Sequence, residues 1–264
     1  MSCFSSLPEG CISYITSFTS PRDACRVAAI SSTFKSAAES DIVWEKFLPS
    51  DYPEIISRSV SPVVYSTKKE LYFLLCNSPI LLDEGKLSFV LNKCSGKKCY
   101  MLRAIELSIV WGGSSEYWKW TSLPESRFSV VAELLGVTWL DIGGKMKTQM
   151  LSPKTTYAVY LVFKLAKNNR GLEVPVKASV RFVAEIQDRA ENSDDTVYLK
   201  LAKDRQPNGR FPQKRGDGWM EIELGQFFND HGDDSEVEMQ LKETQEHLGK
   251  SGLIVKGIEL WPKE

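Results

Sequence analysis

The chain has 264 residues, 42% of them hydrophobic and 25% charged, so it can bury one large core or two smaller ones, and wholesale disorder is excluded. A formal charge of −1 and Lys/Arg runs no longer than pairs such as Lys97-Lys98 supply no basic field for phosphates, which argues against nucleic acid as a partner. Met1 to Phe18 lacks the basic start of a secretory signal, no stretch approaches the roughly 18 apolar residues of a membrane span, and no glycosylation acceptor occurs; cytoplasm or nucleus is the expected compartment, with no membrane partner.

In chain order the first elements are short helices. Leu7-Pro8-Glu9 leads into a helix whose Cys11, Ile12, Ile15 and Phe18 recur at helical spacing, giving one apolar stripe. Ser20 opens a second helix, with Pro21 suited to its first turn and Asp23 placed to complete a capping box; Ala24, Val27 and Ala28 form its inner face. A third carries Phe34, Ala37 and Ala38, and a fourth, after Ser40, carries Val43, Trp44, Phe47 and Leu48. Helices this short cannot stand alone. Pro49, Pro53 and Pro62 among serines suit residues 49–66 to a semi-rigid connector. Thr67 and Glu70 then cap one more helix through Leu71, Leu74 and Leu75.

Beyond residue 86 the period becomes two. Leu87, Phe89 and Leu91 alternate with Lys86, Ser88 and Val90; Val176, Ala178, Val180 and Phe182 with Lys177, Ser179 and Arg181; Met220, Ile222 and Leu224 with Trp219, Glu221 and Glu223; and Val237, Met239 and Leu241 with Glu236, Glu238 and Gln240. Tyr157 to Leu165 is apolar on both faces until Lys164, which predicts a central strand. Leu253 to Leu260 closes the series. Many strands without amphipathic helices between them imply antiparallel sheets packed as a sandwich. The expected organisation is a helical part over 1–48, a linker and connecting helix over 49–85, and a β-sandwich over 86–264.

Six cysteines, Cys94 and Cys99 among them, are too few for a disulfide scaffold and read as reduced thiols buried in the core. Cys94 and Cys99 lack a second ligand pair, so neither zinc nor any cofactor is expected. His231 and His247 sit in acidic, loop-like stretches without a nucleophile motif. Gly249-Lys250-Ser251 resembles the end of a phosphate loop, but Thr244 holds the place of its first glycine, and a hairpin turn is expected. Glu221/Glu223 and Glu236/Glu238 each share a strand face, a spacing compatible with glycoside hydrolysis as a minor alternative.

The richer feature runs from Trp111 through Gly112-Gly113 to Tyr117-Trp118-Lys119-Trp120. Flat rings beside small polar residues suit the C–H faces of sugars. Trp111 ends the alternation Leu107, Ile109, Trp111 and so points inward by pattern, while Trp118 and Trp120 read equally as packing or as binding residues.

Leu7-Pro8, the Ser20-Pro21-Arg22-Asp23-Ala24-Cys25 turn, Phe34, and Asp41 through Trp44 to Leu48 resemble the F-box. Residues 99–262, with Leu107-Ser108-Ile109-Val110-Trp111, Tyr117-Trp118-Lys119-Trp120, Trp139-Leu140-Asp141-Ile142, the Tyr157–Lys164 run, Asp217-Gly218-Trp219 and Ile254-Val255-Lys256-Gly257, resemble the Nictaba-related phloem lectins of plants. The combination resembles the F-box phloem-lectin proteins, although Ala104-Ile105-Glu106 replaces a more usual Ala-Arg-Asp. The resemblance implies an α + β chain, a small all-α F-box followed by an antiparallel, jelly-roll-like sandwich, with no catalysis of its own. It implies a Skp-type adaptor of a cullin ubiquitin ligase bound through Leu7, Pro8, Ile12, Ile15, Pro21 and Val27. It implies N-glycans or a glycoprotein target at Trp111, Trp118, Glu236 and Glu243, and Trp120 joins them from the loop pattern. A sandwich that binds protein without sugar is the first alternative.

Overall fold

The computed structural model describes residues 7–185, 195–201, 208–233 and 235–263. It divides into two compact units, Met1–Cys99 and Tyr100–Glu264. The expected boundaries at 48 and 85 both fall inside the first unit.

Among the described residues that unit holds six helices, α1 (Glu9–Thr16), α2 (Pro21–Val27), α3 (Ser32–Glu39), α4 (Asp41–Phe47), α5 (Tyr52–Ser57) and α6 (Lys68–Asn77), and the hairpin of β1 (Ile80–Leu82) with β2 (Leu87–Leu91). The caps explain where helices begin. Ser20 Oγ accepts from the Asp23 amide at 3.1 Å and donates to the Asp23 carboxylate at 2.7 Å, and Thr67 accepts from the Glu70 amide at 3.1 Å. Glu70 reaches one residue further back than a capping box requires, to the Ser66 amide at 2.8 Å.

The expected connector is packed. Pro53 lies in the first turn of α5, where no amide is needed, while Tyr52 and Ile55 are buried. Strand β2 is buried on both faces rather than one, with α6 against it. Inside the helices Trp44 is ringed by Phe47, Tyr72 and Phe73, centroids 5.2–5.6 Å away. Its indole donates to Ala38 O at 2.8 Å. The thiols depart from expectation: Cys11, Cys25 and Cys94 are exposed and, of the described cysteines, Cys99 alone is buried, none of these four in a disulfide, while Cys3 lies outside the described residues. Burial pushes the half-buried Cys76 thiol up to about 11.

The second unit is a two-sheet sandwich. Its eight main strands are β3 (Lys98–Arg103), β7 (Leu140–Lys147), β8 (Thr155–Arg170), β9 (Val176–Phe182), β10 (Asp195–Val197), β12 (Met220–Asn229), β13 (Glu236–Glu243) and β14 (Ser251–Pro262). One sheet runs β3-β14-β8-β12 and the other β7-β13-β9-β10. In chain order these are strands 1-8-3-6 and 2-7-4-5, two interleaved Greek keys of a jelly roll. Short strands extend the edges: β4 (Ser108–Ile109) beside β7, β11 (Gln213–Lys214) beside β12, and β5 (Trp118–Thr121) with β6 (Val131–Leu134), which joins β14.

Strand β8 is central, as the apolar run predicts, held between β14 and β12. The sheets meet through inward residues such as Phe182 and Phe227, rings edge to face at 5.8 Å. Gly257 is required where β14 crosses β3, since a Cβ there would lie 1.9 Å from Leu102 O at φ +159°. No described helix is long and apolar enough to span a membrane.

Candidate functional site

Two surfaces concentrate apolar groups where water should be. The first belongs to α1, and its amphipathicity is inverted. The helix turns Ile12, Ser13, Thr16 and Ser17 inward and lays them against the Ala37 and Ala38 face of α3, where Ser13 Oγ donates to Ala37 O at 2.9 Å. Apart from Ile12, its large side chains face out: Tyr14, Ile15 and, just past its end, Phe18, the last 68% exposed, with Tyr14 and Phe18 rings in contact at 4.9 Å. Small polar residues satisfy their own hydroxyls on backbone carbonyls, as Thr16 does on Ile12 O at 2.7 Å, so burying them is cheap and lets α1 and α3 approach closely.

The positions read as adaptor-facing divide accordingly. Pro8 and Ile15 are exposed and Leu7 and Val27 half-exposed, but Ile12, at 4% exposure, and Pro21 are buried within the helices. Tyr14 was missed because Tyr reads as neutral in a stripe count.

The second surface is aromatic. Strand β4 ends at Ile109, and the turn after it closes with Gly112 N on Ile109 O at 2.9 Å and Ser114 N on Trp111 O at 2.9 Å. Trp111 takes the left-handed conformation, φ +63°, and its ring is 53% exposed. The inward placement expected from alternation is therefore overturned, because the chain has left the strand before Trp111.

Trp118 and Trp120 hold this turn from beneath. Their indoles donate to Val110 O at 3.1 Å and Gly112 O at 3.0 Å, and Trp118 is 2% exposed. Trp118 serves as support, while Trp120 is half-buried and also lines a separate shallow cleft with Ile109, Gly112 and Gly113.

Above them Trp111, Tyr117, Val137, Thr138 and Trp139 line a cleft of about 190 Å³. The Trp111 and Tyr117 rings lie 5.6 Å apart at 53°, and Trp139 is half-exposed. Trp139 could have been found in the sequence, since Leu140 and Ile142 point inward and put Trp139 on the outer face.

The loop carrying Trp139 is pinned by a buried ion pair. Lys250, 1% exposed, pairs with Glu243, 4% exposed, and donates to Thr138 O at 2.7 Å, Glu246 O at 3.0 Å and Leu248 O at 3.1 Å. Glu243 Oε1 also accepts the Gln245 and Glu246 amides at 2.8 and 2.7 Å. Glu243 is thus occupied inside the fold. Glu236, seven residues away on β13, lies on the opposite face and ~23 Å along the strand by its rise per residue. Trp111, Trp118, Glu236 and Glu243 do not converge on one ligand.

Other chemistry is accounted for by packing. Glu221 is held by Arg215 at 2.7 Å and Glu238 by Lys145 at 3.2 Å. Lys164 and Lys256 lie 4.7 and 4.9 Å from the Trp219 ring centroid; burial, with Arg127 nearby, pushes Lys256 down. Both histidines are exposed. Among the described residues no cluster of His, Cys, Asp or Glu could hold a metal.

The Phloem protein 2 family model matches residues 97–262. F-box protein PP2-B10 of Arabidopsis thaliana is 48% identical over 98% of this chain and 94% of its own length, and F-box protein SKIP3 of the same plant is 45% identical over 99% of this chain and 89% of its own. Among solved structures a mannan-recognising carbohydrate-binding module covers 60% of this chain and 85% of its own at 11% identity, with a TM-score of 0.29, too low to speak to fold or ligand. Matched by that family's model through nearly the whole sandwich, and by F-box proteins of the family from end to end, the chain belongs to the phloem protein 2 family.

Proposed function

We propose that the chain is a substrate-recognition adaptor of a cullin-type ubiquitin ligase, working in the cytoplasm or nucleus. The helical unit binds a Skp-type adaptor and the sandwich holds a glycan-bearing, stress-related target. The observation that carries this reading is the inversion of α1, which exposes Tyr14, Ile15 and Phe18 while burying Ser13 and Thr16. A chain that hides small polar groups and displays large apolar ones is complete only when a second polypeptide covers them. Leu7, Pro8 and Val27 extend the face, and Ile12 and Pro21 hold it from within.

Sugar recognition rests on the Trp111, Tyr117 and Trp139 cleft: rings stack on pyranose C–H faces, with the Lys250–Glu243 pair fixing the loop beneath. Co-purification of the full chain with a Skp-type adaptor, beside a glycan array, tests both halves. Loss of the adaptor in Ile15→Asp/Phe18→Asp and of sugar in Trp139→Ala is the expected result; retention of either refutes that half.

A second reading gives the cleft a protein surface to hold, favoured by the exposed Leu135 and Leu248. A blank glycan array with a specific protein recovered would select it. Hydrolysis is not proposed, since one or both members of each same-face carboxylate pair are already engaged: Glu221 by Arg215, Glu223 by Lys263 and Gln226, and Glu238 by Lys145.

A further inference from the structure

The outer face of the sandwich carries a second concavity, whose lining begins one or two residues along the chain from that of the aromatic cleft. From Trp139 the chain enters β7, whose Leu140, Ile142, Gly144 and Met146 turn to the core while Asp141, Gly143 and Lys145 take the opposite face, Gly143 buried, Asp141 half-buried and Lys145 exposed. Across on β13 stand Lys242, Gln240 and Glu238, in register with those three. On the other side β4 places Ser108 against Gly143, and Val110 N donates to Asp141 O at 3.0 Å. The result is a trough of about 540 Å³ lined chiefly by Glu106, Ser108, Asp141, Lys145, Glu238 and Gln240, within the usual range for small-ligand sites. It begins at Val110 and Asp141, neighbours of Trp111 and Trp139, and runs ~13 Å to Lys145 by the strand rise.

Gly143 makes the trough deep, and packing does not explain it. A Cβ on Gly144 would press Leu107 Cδ2 at 3.0 Å, so glycine is needed there for the core. A Cβ on Gly143 would meet only Met239 O at 3.4 Å, an ordinary contact, and its backbone is not left-handed. Glycine inside a strand weakens it and marks a place where something approaches closely.

The charged groups are largely matched in sign: two cations meet two carboxylates, and the Asp141 carboxylate, which an amide cannot neutralise, has Lys242 opposite it on β13. Lys145 Nζ lies 3.2 Å from Glu238, Arg103 donates to Glu106 at 2.8 and 3.0 Å, and Gln240 Nε2 donates to Asp141 at 3.0 Å. Such pairs attract neither a phosphate nor a cation strongly, yet they leave alternating acceptors and donors at fixed positions, with the Ser108 hydroxyl among them. Vicinal hydroxyls match that pattern.

We infer that the trough over Gly143 receives the further units of a neutral oligosaccharide whose terminal unit stacks in the Trp111/Trp139 cleft. This rests on the sugar reading of the cleft. Asp141 and Gln240 orient each other and offer their remaining atoms to the second unit, and Lys145 and Glu238 meet the next.

The test is calorimetric titration of the full chain with a length series, mono- to tetrasaccharide, of the best-binding sugar. Affinity should rise about tenfold or more once the chain outgrows the cleft, the worth of one or two hydrogen bonds. Gly143→Val should remove that increment and leave the monosaccharide unaffected, with its melting temperature checked in parallel. Gln240→Ala, which alters no backbone, should remove part of it and stands in if Gly143→Val unfolds. Monosaccharide binding without any gain on lengthening overturns this inference and spares the cleft, as does a Gly143→Val or Gln240→Ala protein that keeps the whole gain. No binding at any length overturns both.

Discussion

The helical unit and the sandwich solve burial in opposite ways. In the sandwich, β13 sends Val237, Met239 and Leu241 inward and shows Glu236, Glu238 and Gln240, the arrangement expected of a surface that water finishes. In the helical unit, α1 shows Tyr14, Ile15 and Phe18 and hides Ser13, Thr16 and Ser17. Both are amphipathic, so pattern strength does not distinguish them. The direction of the pattern does, and direction marks the surface that another molecule finishes.

The largest expected effect breaks this comparison at α1. Ile15→Asp/Phe18→Asp should abolish Skp-type adaptor binding, since each anchor buried on binding is worth ~1.5–3 kcal/mol, while the melting temperature stays unchanged. Ile12→Asp, one residue from Cys11, should instead unfold the helical unit. Circular dichroism and pull-down together separate the two outcomes, and an Ile15/Phe18 variant that melts early would show that the face serves the chain's own core.

Next is Glu243→Ala, which strands Lys250 in the interior. Removing one partner of a buried pair costs about 3–5 kcal/mol, visible in denaturant unfolding of the sandwich, and Lys250→Met with Glu243→Gln together should restore most of it. A surface role for Glu243 predicts no loss of stability.

Trp111→Ala should weaken sugar binding about tenfold, near the ~0.5–1.5 kcal/mol typical of a ring contact beyond its area, and leave stability alone. Trp118→Ala should do the reverse, costing about 3–5 kcal/mol of fold as a buried aromatic. Identical behaviour of the two would erase the distinction between the exposed ring and its support.

The smallest effect is acid sensitivity, and both units share it. The Arg58 guanidinium holds Asp83 below the usual carboxylate range. At Asp217 burial opposes ionisation, and the Trp219 amide with Lys256 and Arg215 outweighs it, so that group too is depressed. A depressed carboxylate stabilises the fold above its unfolded value of ~3.9 and loses that contribution as pH falls through it toward the folded value. Stability should therefore be flat from neutral down to about pH 5 and decline below it, with Asp83→Asn and Asp217→Asn flattening the decline.

Much of the fold was legible in residues whose signal is local. Ser20 and Thr67 cap their helices, the Tyr157 run is the central strand, and the alternating segments are strands. What escaped depended on partners far along the chain. Cys11, Ile12, Tyr14, Ile15 and Phe18 cover so much of α1 that only Ala37 and Ala38, two helices later, decide which side turns in. Pro53 read as a breaker although it sits where a helix tolerates it. Trp111 kept the strand period on paper, and the turn closed by Gly112 on Ile109 ended it in space. The odd separation of Glu236 and Glu243 was visible in the sequence, but it puts them on opposite faces only because one strand runs unbroken through both.

The short border strands carry a last consequence. β4 and β11 offer two residues each and β10 three, the last bearing Asp195. Cross-chain zippering needs a longer flat run of open amides and carbonyls, so these margins give a neighbouring copy little to grip. Margins this brief, two of which also carry a charge in Lys214 and Asp195, leave copies of the chain little tendency to pair edge to edge.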